Sequence, residues 1–281
     1  MFYLGCGDGQ KDEKTTESNN IVTNIDTDNK AYKKNKAREV LHLVPSPIEI
    51  IMLVQKAGAS YNPDILNKPE NSSKYDTKFK KALNLGIYGA DLSYASMFDQ
   101  TQESMFFVSA AKKLAEGLGI MNAFDQSTIE RVEANMGDRD SMLYMISEIY
   151  WTADAYLKET ENINTSALII AGGWIEGLHI AASLTGTNED SGAIRRLVGE
   201  QKYALTNLIE LVAALEETEM TISVKNDLES LKLLYDELNV KVSKPEMKGN
   251  KVGNIAVIEM SDEQLVAIKS KLFDIRTKYI S

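Results

Sequence analysis

The sequence predicts an all-α fold, a multi-helix bundle of about nine helices. Three observations carry this reading. From about residue 36 onward apolar residues recur at the helical period. Capping residues open the periodic segments and glycines close them. No pair of runs alternates at period two strongly enough to build a sheet. The chain of 281 residues is 43% apolar, enough to bury a sizeable core. It carries 31 Lys+Arg against 41 Asp+Glu, a formal net charge of -10. That balance excludes the basic face of a general nucleic-acid binder, so no nucleic-acid partner is expected. One cysteine and two histidines leave no disulfide framework and no cysteine-built zinc site.

Ser46 caps the first helix, Pro47 suits its first turn, and Gly58 suits its stop. Tyr61 to Tyr75, with Pro63 and Pro69, reads as a long irregular loop of the kind that often carries function. Asp76 or Thr77 caps a helix to about Phe98. Gln102 to Leu118 is the next, ending at Gly119. Asp125 to Thr128 caps a shorter helix to about Met136, and Asp138 or Asp140 opens one to about Glu161. Asn164 or Thr165 opens the apolar helix to Leu184, closed by Gly186. Its length is near the lower limit for a membrane span, but Glu176 and His179 within it favour a buried core helix. Ser191 opens a helix through Leu215, and Thr221 or Ser223 opens one to Leu238. Lys241 to Met260 breaks the pattern, and Ile255 to Ile258 reads as a short strand or packed loop. Ser261-Asp262-Glu263 caps the last helix, its acids placed well for the helix dipole.

The N-terminal segment reads differently. Leu4-Gly5-Cys6 resembles the end of a bacterial lipobox, in which the cysteine is lipidated and becomes the mature N-terminus; Tyr3 stands where a leucine is usual. On this reading Phe2, Tyr3 and Leu4 are the end of a signal peptide's apolar region. Gly7 to Asn35 is polar, cannot bury enough surface to offset its ordering entropy, and is expected to be a flexible spacer. Gln10-Lys11-Asp12-Glu13 resembles the acidic export signal of surface lipoproteins of Bacteroidota, displaced from the cysteine. The organisation expected is a lipobox remnant and tether over 1–35 and a single helical domain over 36–281, with candidate halves 36–162 and 163–281. One acyl chain holds a membrane only marginally, so stable anchoring at Cys6 needs several.

Two Gly/Ala-rich helices are the most informative segments. Gly86 to Ala95 aligns weakly with Gly172 to Ala181, which suggests a duplicated four-helix unit or a solenoid-like stack. Interior glycines lower helix propensity by roughly 1 kcal/mol each, so they imply close backbone approach or room for a ligand. The candidate ligand pocket is Tyr88, Asp91, Tyr94, Trp174, Glu176 and His179. A carboxylate within such apolar helices must be paired, hydrogen-bonded or protonated. Glu176 and His179, like Glu39 and His42, form a Glu-x-x-His, but four long helices at ferritin-like spacing are missing, and neither a metal nor a cofactor is expected. No Gly-x-Ser-x-Gly elbow and no phosphate-cradling loop occur, so no catalytic residue is assigned. The stripe Met142, Tyr144, Met145, Ile149, Tyr150, Trp151, Ala155 and Tyr156 reads either as core or as a hydrophobic groove for a partner.

Pro45 to Glu49, Ala57 to Pro63 and Ala82 to Tyr94 together resemble a group of uncharacterised all-helical Bacteroidota lipoproteins or exported proteins. The resemblance implies a cell-envelope, outer-membrane location and no catalytic residues. The function expected is a non-enzymatic lipoprotein, facing the periplasm or the cell surface, whose helical domain binds a partner protein or small ligand. The alternative is an envelope enzyme or metal or ligand carrier using a polar cavity around Asp91, Glu176 and His179. A polar cavity joining those residues favours the alternative; a solid core there, with an apolar groove elsewhere, favours the first.

Overall fold

The computed structural model describes residues 43–123, 126–135, 137–160, 162–186, 191–242 and 256–281, together with 35, 36 and 40. Cys6, the spacer, Glu39 and His42 lie outside them. Among the described residues these α-helices follow in order: α1 (Pro47–Lys56), α2 (Lys78–Met97), α3 (Thr101–Leu118), α4 (Gln126–Ala134), α5 (Arg139–Glu159), α6 (Ile163–Ser183), α7 (Ser191–Ala213), α8 (Glu219–Asp236) and α9 (Asp262–Ile280). The fold is all-α.

Helix ends follow local chemistry. The Ser46 hydroxyl accepts from the Glu49 amide, and Thr77 accepts from Lys80, each satisfying an orphan first-turn donor. Ser261 forms a capping box with Gln264. Gly58, Gly119 and Gly186 take positive φ after α1, α3 and α6, where a side chain would be strained. The start of α8 differs from the sequence reading. Thr218 is the N-cap, and Thr221 is its capping-box partner three residues on, so the helix begins earlier than Thr221.

The segment read as a short strand or packed loop is a strand over its described residues, β2 (Ala256–Glu259), and it pairs antiparallel with β1 (Asn239–Val242), which the sequence reading did not foresee, with Val240 opposite Ile258. Four residues per strand are too few for periodicity alone to reveal. The pair forms because Ile258 is buried, and its side chain lies 3.2 Å from where a Cβ at Gly199 of α7 would stand. Lys241 and Glu259 bridge the ladder at 2.7 Å.

Helices α2 and α6 form the centre of the body. A Cβ at Gly86 would stand 1.9 Å from the Ile169 carbonyl oxygen, and one at Gly172 would stand 1.9 Å from the Leu83 carbonyl oxygen. The aligned glycines of the two weakly similar segments therefore permit one reciprocal backbone crossing. One hydrophobic cluster extends from Val40 to Tyr279 and so spans both candidate halves. A second cluster joins α2, α3, α4 and α5 through residues such as Leu92, Phe107, Val132 and Met145. Among the described residues, α6 alone is long and apolar enough to cross a membrane, and other helices bury most of it.

Candidate functional site

The six residues of the sequence-derived pocket are all buried. Four of them hold the backbone of the 60–68 loop. The Tyr94 hydroxyl accepts from the Asn62 amide at 3.0 Å and donates to the Ser60 carbonyl at 3.2 Å. His179 Nε2 lies 3.2 Å from the Ile65 carbonyl, which fixes that nitrogen as the donor. The Asn67 amide donates to Asp91 Oδ2 at 3.3 Å, and the Tyr88 hydroxyl donates to the Lys68 carbonyl at 2.9 Å. An irregular segment lying against a core leaves backbone groups that sheet or helix cannot satisfy, and these side chains supply the partners. Burial raises the Tyr94 hydroxyl to about 12 and lowers the His179 imidazole, so both act as neutral hydrogen-bonding groups.

The other two point to different helices. Trp174 donates from Nε1 to Gln201 Oε1 of α7 at 3.2 Å. Glu176 receives Arg276 of α9 in a bidentate fork, Nε to Oε2 at 2.6 Å and Nη2 to Oε1 at 2.7 Å, with both side chains almost wholly out of solvent. This is the geometry in which guanidinium and carboxylate pair best. Burial opposes the charge on Arg276, but the Glu176 carboxylate outweighs it and raises the guanidinium pKa. Arg276 is the partner that sequence reading missed; its signal was a lone arginine on the inward spacing of α9, with Leu265, Ile268, Leu272 and Ile275.

Asp91 completes this cluster. Burial, followed by the Glu176 carboxylate, pushes its carboxyl well above the usual range. The protonated form is therefore favoured there over a second negative charge beside Glu176. Its Oδ1 has no partner at hydrogen-bond distance. Asn67 joins through Nδ2 to the Tyr75 hydroxyl at 3.0 Å. No metal-binding group of three or more His, Cys, Asp or Glu residues occurs among the described residues.

The large cavity lies elsewhere. It measures about 680 Å³, and none of the six residues stands in its wall. Helix α5 roofs it with Met142, Met145, Ile146 and Ile149, while Leu85, Gly89 and Leu92 of α2 and Ile169 and Ile170 of α6 form the floor. Val108 and Ala111 of α3 and Pro47 and Ile48 of α1 supply the sides. Tyr150 explains the space under α5. Cβ atoms at Gly89 and Gly173 would stand 3.0 and 2.8 Å from its hydroxyl, so the phenol reaches across from α5 to the two glycines. That hydroxyl is buried without a partner. The aromatic and Met stripe singled out in the sequence is thus divided. Met142, Met145, Ile149 and Tyr150 face the cavity, whereas Tyr144 faces solvent.

The polar groups in the wall are few. Glu49 and Lys112 are exposed at the edge, and Asp154 accepts from the Ser166 hydroxyl at 2.7 Å. A concave, mainly apolar space with few polar groups suits a small molecule held by burial. Comparison with protein-family models, curated proteins and solved structures gives no match.

Proposed function

We propose that the helical body binds one small apolar molecule in the cavity beneath α5 and performs no chemistry on it. The observation that carries this reading is the 680 Å³ volume with its mainly apolar wall. At about 30 Å³ per liquid water, the space corresponds to roughly twenty water volumes, enough for a single acyl chain or a few fused rings. The engagement of Asp91, Glu176 and His179 with Arg276 and the loop backbone supports binding over the enzyme alternative, because none of them lines this cavity.

The neutral dye N-phenyl-1-naphthylamine, whose emission rises in apolar surroundings, tests the reading. Saturable enhancement at one dye per chain is expected. Ala111→Phe, which places a ring in the cavity, should weaken that binding at least tenfold while leaving helical circular dichroism unchanged. Non-saturable enhancement, or a variant that binds the dye as well as wild type, refutes it.

The location is proposed from Leu4-Gly5-Cys6 and the polar segment after it: a lipid-anchored envelope protein held to the membrane through Cys6. Metabolic labelling with an acyl probe, lost in Cys6→Ala, is the expected outcome. Absence of labelling in the wild-type protein, expressed from its full reading frame in its own host, removes this part of the proposal.

A further inference from the structure

The residues that line the cavity and are also exposed mark its mouth. The apolar ones are Leu43, Met52 and Trp151, at 58%, 39% and 62% exposure, beside Glu49 and Lys112. Apolar surface is therefore continuous from the interior of the cavity to solvent. Tyr144, 66% exposed, stands seven residues before Trp151, two turns along the same side of α5, and extends the apolar rim outward.

We propose that this mouth docks on a neutral, zwitterionic lipid surface and takes the apolar ligand directly from it. The proposal rests on the cavity being a ligand site. Each methylene multiplies the preference of a chain for an apolar phase over water about fourfold, so a molecule that fills this space resides in lipid rather than in solution. A protein that collects it gains by touching the lipid. Tryptophan and tyrosine suit the boundary between headgroup and acyl chain, with an apolar ring and one polar handle. Charge selects the kind of surface. The chain carries -10 overall, and among the described wall residues Glu49 and Asp154 outnumber Lys112, so the wall holds no excess of cations for an anionic headgroup. A zwitterionic bilayer presents no net charge to repel the chain.

The chain's two tryptophans make the test direct, because Trp174 is fully buried and Trp151 stands at the mouth. Wild-type protein is mixed with phosphatidylcholine vesicles whose acyl chains carry bromine, a contact quencher of tryptophan. The Trp151 share of the emission should be quenched, and less so with vesicles rich in phosphatidylglycerol. Transfer of N-phenyl-1-naphthylamine from vesicle to protein should speed up with vesicle concentration. Tyr144→Glu, outside the cavity wall, should slow that transfer at least fivefold and leave equilibrium dye binding within twofold. Unquenched emission, transfer independent of vesicle concentration, or transfer unchanged in Tyr144→Glu overturns the docking proposal while leaving ligand binding intact. Failure of the wild type to bind the dye at all removes the ligand reading and the docking proposal together.

Discussion

Asp91→Asn isolates the buried charge cluster. The carboxamide has the shape of a protonated carboxyl, and its oxygen can accept from the Asn67 amide as Asp91 Oδ2 does. In the unfolded chain an aspartate ionises near about pH 3.9. In the folded protein burial and Glu176 hold the Asp91 proton on well above that. Between those two pH values the folded state binds one more proton than the unfolded state, so this group makes wild-type stability fall as pH rises. The slope is about 1.4 kcal/mol per pH unit until the folded pKa is reached. The variant lacks that slope. Every other group is common to both proteins, His179 included, and cancels in the difference. Over the pH range above about 5 in which the folded carboxyl keeps its proton, the variant should therefore gain about 1.4 kcal/mol per pH unit relative to wild type. Urea unfolding followed by circular dichroism at several pH values measures it. A constant difference over that range refutes the reasoning, because it means that Asp91 is ionised throughout, its charge held by Arg276.

The remaining predictions concern the same core. Arg276→Met leaves Glu176 and Asp91 buried together without a cation and should cost about 3–5 kcal/mol of unfolding free energy. Glu176→Gln should cost less, because loss of the neighbouring carboxylate lets Asp91 ionise and pair with Arg276; equal losses in urea titrations of the two variants would contradict this assignment. Gly86→Ala should destabilise by about 3 kcal/mol or more, since the new methyl meets the Ile169 backbone at the α2–α6 crossing. Gly117→Ala is the control. Its methyl meets only the flexible end of Lys81, and thermal melts should show a gain of up to about 1 kcal/mol from helix propensity.

Much of this architecture is legible in the sequence because it is local. Ser46, Thr77, Ser261 and the closing glycines act within a turn of where they stand. Gly86 and Gly172 announced a close approach because glycine inside a helix needs an offsetting gain. The partners were not legible. Nothing near Glu176 indicates Arg276, one hundred residues on, and nothing near His179 indicates the Ile65 carbonyl. The buried polar residues looked like a pocket because the sequence shows which side chains are polar within apolar helices, but not what they meet. The same limit applied to α5. Its Met and aromatic stripe suits a packed core and a cavity wall equally, and the choice depends on Tyr150 reaching Gly89 and Gly173 from another helix.

The central claim is that the space beneath α5 takes one apolar molecule. Crystals of the protein grown with a long-chain bromoalkane test it most directly, because bromine marks its own position by anomalous scattering. The account predicts one bromine-bearing chain per protein molecule, surrounded by Leu92, Met145, Ile149 and Ile169. A structure in which α5 lies directly against α2 and α6, with bromine found only on the outer surface, would contradict it.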